Sequence, residues 1–352
     1  MIGKRSIFFI AVLLVPALVF CGAGMVQAAA DETRAAPKEI NIAMVTQTIL
    51  EEPWNIAMVQ AFERVEKEKP NGLQLKFVVS ENVQPPDAER VMRQYAKTGK
   101  YNIIMAHGGA YSSDAFKRLS KEFPDILLAC TGGGYEALGG NVYWLDMHIQ
   151  EAGYLLGLIA GAMAKNDVVG CVASFPVPNE NLCINGYFEG ARAANPGVKT
   201  VVTYIESWYD PPKAKEAALA QISAGADFIY ANTYGPFGAC KEKGVYAFGH
   251  SVDSNSLAPE VVVSSTLYRW DPYVIYIINQ WWDHVVKGKP FNAPTDRIVF
   301  LMAEGGSDIA PYHGLESKIP EATKKKVAET RQKILDGKFK VPENEAKAVS
   351  SR

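Results

Sequence analysis

Residues 151–163 read EAGYLLGLIAGAM, apolar on almost every side and carrying glycines at 153, 157 and 161. The run is too short to cross a bilayer. A helix that is hydrophobic all round is a buried one, and glycines allow another backbone to come close. The segment therefore predicts a helix buried where two lobes join. Before it, short apolar runs at Ile40–Val45, Leu75–Val79, Asn102–Ala106 and Ile126–Ala129 alternate with longer amphipathic segments. After it the alternation repeats at Val168–Ala173, Thr200–Tyr204, Phe228–Ala231, Tyr246–Gly249 and Val261–Ser265. Such alternation is the pattern of βαβ units around a parallel sheet. The intervening helices have clear faces. Trp54–Lys67 sets Trp54, Met58, Ala61, Phe62 and Val65 on one stripe, and Asp87–Thr98 does the same with Val91 and Tyr95 behind Asp87 as a capping acid.

Because the series runs twice, the expected architecture is α/β, with two doubly wound parallel-sheet lobes. Residues 38–146 plus about 254–285 are assigned to the first lobe, and 147–253 plus about 286–345 to the second. In such sheets a ligand lies off the carboxyl ends of the strands. The residues that follow each strand are the ones to weigh.

The first thirty residues read as an export signal. Lys4 and Arg5 precede an apolar stretch from Ile7 to Phe20, and Val26-Gln27-Ala28-Ala29-Ala30 ends it with small residues. A mature chain starting near Ala29 or Asp31 and a periplasmic location follow as expectations. Cys21 raises a lipid anchor, but Phe20 stands before it where lipoprotein processing wants a small residue. The roughly 320 residues beyond the signal exceed what one core usually serves. A hydrophobic fraction of 48% supplies enough apolar mass for two cores, and a net charge of -2 gives no footprint for nucleic acid. Lys324–Lys326 falls in a polar tail helix as a solvated face. Cys171 and Cys183 could pair in an oxidising compartment, or be buried free thiols like Cys130 and Cys240.

Several stretches, taken in order, resemble the basic membrane protein family of solute receptors. They are IAMVTQTILEEPWNIAMVQAF (42–62), ENVQPPDAERVMRQY (81–95), VGCVASFPVPNENLCINGYFEGARAANPG (169–197), SWYDPPKAKEAALAQISAGAD (207–227) and GVYAFGHSVDSNSLAPEVVVSS (244–265). The resemblance implies a type I periplasmic-binding-protein fold, a purine held between aromatic side chains in a closing cleft, and an ABC permease in the inner membrane as partner. The family's nucleoside-binding members carry an acid at the end of the first strand, another in a Gly-Val-Asp-Ser-Asp stretch, and a lysine after the following strand. Here Gln47 or its neighbour, Ser251, and Tyr268 beside Arg269 stand in those places, with Asp253 keeping the second acid of the stretch. The SWYDP segment and Trp270 look more like a branch that binds a free purine such as adenine. A nucleobase is therefore favoured over a nucleoside.

The chemistry of the residues points the same way. A flat heteroaromatic ligand offers two π-faces and a rim of donors and acceptors, so its receptor needs aromatic slabs and a few oriented polar groups. Trp54 at a helix start and Trp208 after a strand can serve as slabs, each with the alternative of capping its own lobe's core. Phe175 is a third candidate. Asn232, ending the strand FIYAN, offers donor and acceptor together, or else caps an Asx turn. Asp253 could accept from an amine, or cap its own loop. Gly108 and Gly109 end a strand and turn backbone N–H groups toward the cleft.

Catalysis fits less well. His107-Gly108-Gly109 has the look of an oxyanion loop and Gly249-His250-Ser251 begins like a nucleophile elbow, but Asp253 stands where the closing glycine belongs. Gly132–Gly134 completes no dinucleotide fingerprint. No cofactor or metal site is expected, and a monomer is the working assumption. A sensor role toward a membrane chemoreceptor or kinase would use the same cleft, and an export signal stands where a regulator's DNA-binding headpiece would be.

Overall fold

The computed structural model describes residues 36–109 and 111–351; the expected export signal and Cys21 lie outside the described residues. The first lobe begins with β1 (Glu39–Thr46), whose Ile40, Ile42, Ala43, Met44 and Val45 are wholly buried, as a parallel strand covered on both faces must be. It continues through α1 (Pro53–Glu68), β2 (Gln74–Ser80), α2 (Pro85–Lys97), β3 (Ile103–His107), α3 (Ser113–Glu122), β4 (Leu127–Thr131) and β5 (Val142–Met147). The second lobe contains α4 (Gln150–Met163), β6 (Val168–Ala173), α5 (Pro178–Ala194), β7 (Lys199–Tyr204), α6 (Pro211–Ser223), β8 (Phe228–Ala231), α7 (Phe237–Lys243), β9 (Tyr246–Gly249) and β10 (Val262–Tyr268). Then come α8 (Asp271–Lys287), which packs on α1 in the first lobe, β11 (Ile298–Phe300), β12 (Ser307–Ile309), and α9 (Glu321–Leu335), which packs on α4 in the second.

Strand order is β11-β5-β4-β3-β1-β2 in one sheet and β12-β10-β9-β8-β6-β7 in the other. All pairings are parallel except β10 with β12. The two orders are copies of one another, and in each the winding reverses beside the first strand, at β1/β3 and at β6/β8. Those reversals open the crevice in which doubly wound sheets bind ligands.

The expected lobe boundary needs correction. Residues 254–268 do not join the first lobe, because β10 pairs with β9 and completes the second sheet, so the chain returns to the first lobe only after Tyr268. The tail then crosses once more, β11 lying beside β5 in the first sheet and β12 beside β10 in the second. The all-apolar helix likewise belongs to the second lobe, sandwiched between α5, α9 and the sheet, with its first turn at the crossing. A Cβ on Gly157 would come 2.1 Å from the Tyr187 carbonyl and one on Gly161 2.2 Å from the Ala191 carbonyl, so α4 and α5 touch backbone to backbone. On α2 the buried stripe is Ala88, Met92 and Ala96, with Val91 and Tyr95 only partly covered, and Gln84 takes the cap position assigned to Asp87. Cys130, Cys171, Cys183 and Cys240 are all buried free thiols. Among the described residues no helix is long and apolar enough to cross a membrane.

Candidate functional site

The loop leaving β1 is fixed by a side-chain chain of bonds. Thr46 Oγ1 donates to Asn55 Oδ1 at 2.6 Å, while Asn55 Nδ2 donates to Thr48 Oγ1 at 2.9 Å and to the Ile49 carbonyl at 2.7 Å. This pins Gln47 and Thr48 at the carboxyl edge of the sheet and sets Glu52 as the cap of α1, its carboxylate accepting from Asn55 N at 3.3 Å. Trp54, in the first turn, lies flat on His107 with centroids 5.0 Å apart and planes 21° from parallel. His107 donates through Nε2 to the Trp54 carbonyl at 3.3 Å, which leaves Nδ1 to accept from Thr131 Oγ1 at 2.8 Å. Burial pushes the imidazole down to about 3, so it is neutral.

Beside His107, the turns after β3 and β4 meet back to back. A Cβ on Gly109 would stand 2.7 Å from the Gly133 carbonyl, and Gly132 and Gly134 hold φ values of +85° and +89°. Only glycine allows both the approach and the left-handed backbone.

The second lobe faces this wall with Ser174, Val177, Pro178, Asn179, Glu180, Trp208, Asn232, His250 and Ser251. His250 is neutral too, pushed down to about 3 by burial, with Nδ1 2.6 Å from Tyr230 Oη and Nε2 3.8 Å from Glu180 Oε2. Ser251 is held at φ +67°, a strained conformation for a side chain that is not glycine. Trp208 leans on Phe175 with centroids 4.8 Å apart. Together the two walls enclose a cavity of about 380 Å³, within the size range of small-molecule sites.

Among the described residues no lysine or arginine lines the cavity, and its two acids come from opposite lobes. The Glu52 carboxyl is pushed up to about 8, chiefly by burial and further by Glu180; Glu180 is pushed up to about 7 by burial, offset in part by the Asn232 amide. Glu180 Oε2, Asn179 Oδ1, Asn232 Oδ1 and Ser251 Oγ are buried and find no hydrogen-bond partner among the described residues. Unmatched buried polar atoms are costly, and a cluster of them on one cavity wall marks where a ligand's polar rim belongs.

The sequence profile described as ABC transporter substrate-binding protein PnrA-like matches residues 40–345. The chain belongs to the Bmp family. As a Bmp-family member it is the solute-binding protein of an ABC transporter, a class that works outside the cytoplasm and takes a small-molecule ligand and a permease partner. It is 29% identical to the purine-binding protein of Brucella abortus (strain 2308), over 72% of this chain and 69% of that one. It is 27% identical to the putative ABC transporter glucose-binding protein TsgA13 of Haloferax volcanii, over 82% and 70%. Among solved structures, an ABC transporter solute-binding protein from Aeropyrum pernix K1 superposes with a TM-score of 0.71 at 20% identity, covering 87% of this chain and 94% of that one. At that identity the likeness establishes the fold alone.

Within this Bmp-family cleft, Gln47, Trp54, Gly108, Trp208, Asn232 and Ser251 of the expected site residues line the cavity. Three do not. Phe175 stands behind Trp208 as its support. Asp253 turns away, its carboxylate 2.7 Å from His313 Nε2 and accepting from Asn255 N, which is the loop-capping alternative. Trp270 is fully buried at the second crossing, stacked on Tyr268 at 5.6 Å and edge-on to Trp54 at 5.0 Å, so it backs the Trp54 platform from inside the core. Glu52, Glu180, His107 and His250 also line the cavity, though the sequence alone does not single them out as ligand groups. A signal was available: Glu52 and Glu180 both sit at the start of the helix that follows the first strand of their lobe, beside Pro53 and Pro178.

Proposed function

We propose that this receptor binds a free purine base of the adenine type between its lobes in the periplasm and presents it, closed, to an ABC permease of the inner membrane. The observation that carries this reading is a cavity of about 380 Å³ to which each lobe contributes one indole, Trp54 and Trp208, beside unmatched polar atoms and, among the described residues, no cation. Indole faces suit a flat ring, and base–indole stacking contributes about 1–3 kcal/mol per base. The absence of a lining lysine or arginine disfavours phosphates and carboxylates as ligands. Sequence kinship to the Brucella purine-binding protein supports the same reading, while the Haloferax relative makes a hexose the competitor to test.

Closure follows from differential affinity: a base bound to one indole gains the second wall only when the lobes meet, so ligand shifts the population toward the closed form. Isothermal titration with adenine, hypoxanthine, adenosine and glucose tests it. Adenine binding more tightly than adenosine is the expected ranking. Tighter adenosine binding restores the nucleoside reading, and binding of glucose alone ends the purine one.

A further inference from the structure

We propose that Glu52 and Glu180 form a two-sided carboxylate clamp, each accepting from a different N–H edge of the same ligand, and that this clamp is the specificity device of the cleft. The proposal rests on the purine-base reading above. The two acids reach the cavity from opposite lobes, Glu52 as the cap of α1 and Glu180 from the first turn of α5. These are equivalent places in the duplicated topology, each following the first strand of its sheet at the point where the winding reverses. Glu180 and Asn232 are more than nine-tenths buried, line the cavity, and keep Oε2 and Oδ1 without a partner among the described residues. Among the described residues no lysine or arginine lines the cavity to satisfy the carboxylates, and both nearby histidines are neutral. Glu52 already accepts from Asn55 N and Glu180 Oε2 has no partner, so each carboxylate can accept one further N–H from the cavity, and adenine offers two, in its ring N–H and exocyclic amine. A ligand substituted at the ring nitrogen loses one of the two.

Binding should consequently be linked to protons. Accepting an N–H favours the ionised carboxyl, whereas the empty cleft favours the protonated one for both acids. Affinity is therefore greatest above the range of the empty-site carboxyls and weakens as pH falls through it. The other titratable groups around the pair are His107, His250, Glu51, Tyr204, Tyr209, Tyr268, Cys171 and Cys183; both histidines stay neutral over this range, and burial raises the tyrosines and the thiols away from it.

The experiment is isothermal titration of adenine, purine (which lacks the amine) and 9-methyladenine into the wild type, Glu52→Gln and Glu180→Gln, at pH 5.5 and 8.5. Adenine should bind each variant at least tenfold more weakly than the wild type at pH 8.5, and the wild type at least fivefold more weakly at pH 5.5 than at 8.5. One variant should lose the preference for adenine over purine and the other that for adenine over 9-methyladenine, a non-additivity that mere structural damage does not produce. If adenine binds the wild type with no pH dependence, or both variants bind it within threefold of the wild type, the clamp is wrong and the purine reading stands. If adenine does not bind the wild type, both fall.

Discussion

Trp208 is half-buried on a loop after β7, with Phe175 as its only ring neighbour within stacking distance among the described residues. Trp54, by contrast, is wedged among His107, Tyr268 and Trp270. Truncating Trp54 would loosen the core beneath the cavity as well as the cavity itself, so Trp208 is the cleaner probe of stacking. Trp208→Ala should weaken adenine binding at least tenfold, in line with about 1–3 kcal/mol per stacked base, while the melting temperature of the unliganded protein changes little. Titration calorimetry beside a thermal melt checks both halves, and unchanged affinity removes Trp208 from the site. The two indoles were legible in the sequence as groups beside the cavity because one opens a helix and the other follows a strand at the carboxyl edge of its sheet, although capping of the lobe's own core was an equal use for either. The two glutamates were not, since an acid at a helix start is ordinarily a cap and Glu52 is indeed one. Only coordinates reveal that the same carboxyl also faces a second acid across the cleft. Trp270 misled for the opposite reason: it lies one residue from the expected lysine position, but the crossing between lobes turns it into the core.

At the scale of elements, β6, β8 and β9 run over the residues that their apolar runs marked, because a strand buried on both faces leaves an unbroken apolar signature. Strand β5, VYWLDM, lacks that signature, since it carries two aromatics and the buried Asp146 instead of a β-branched run. Strands β11 and β12 have three residues each, too few for any periodicity. Membership of β10 was misjudged because composition says nothing about which sheet a strand joins. The glycines of α4 were legible, and their consequence can be measured. Gly153, Gly157 and Gly161 face α5, and Gly186 and Gly190 answer from α5, each with a carbonyl where a Cβ would go. Backbone contacts of this kind cannot yield as a side chain can. Gly157→Ala should push the helices apart and cost about 1–3 kcal/mol or more, read as a lower midpoint in chemical denaturation with the slope unchanged. A change below about 0.5 kcal/mol would mean that the two helices are not in contact at this depth.

Across the whole molecule, the unliganded receptor carries an electrostatic conflict between its lobes, and the conflict predicts how stability depends on pH. Glu52 and Glu180 have folded values of about 8 and about 7 against an ordinary 4.5, so between 4.5 and those values the native state holds more protons than the unfolded one. Stability from these groups is complete at low pH and is lost as pH rises. His107 and His250 work the other way: with folded values of about 3 against 6.5, the native state holds fewer protons in that window, and stability rises with pH until 6.5. Two protons gained and two lost nearly cancel from about 4.5 to 6.5, which predicts a plateau. Above 6.5 the histidines contribute no slope and the carboxyls remain. Asp146 and Glu151, raised by burial, add in the same sense as the carboxyls. Glu89, lowered to about 2 by Arg118 and Arg93, acts only below the ordinary carboxylate range and leaves this window untouched. Stability without ligand should therefore fall between pH 6.5 and 8 by about 1–2 kcal/mol, at about 1.4 kcal/mol per pH unit for one proton, discounted for the partial solvent access of Glu52. Denaturant titrations at pH 5.5, 6.5, 7.5 and 8.5 measure it, and Glu52→Gln, which has no proton to lose, should remove most of the decline above pH 7. A stability that climbs through this range would mean that the two carboxyls are ionised in the empty cleft and do not oppose one another across it.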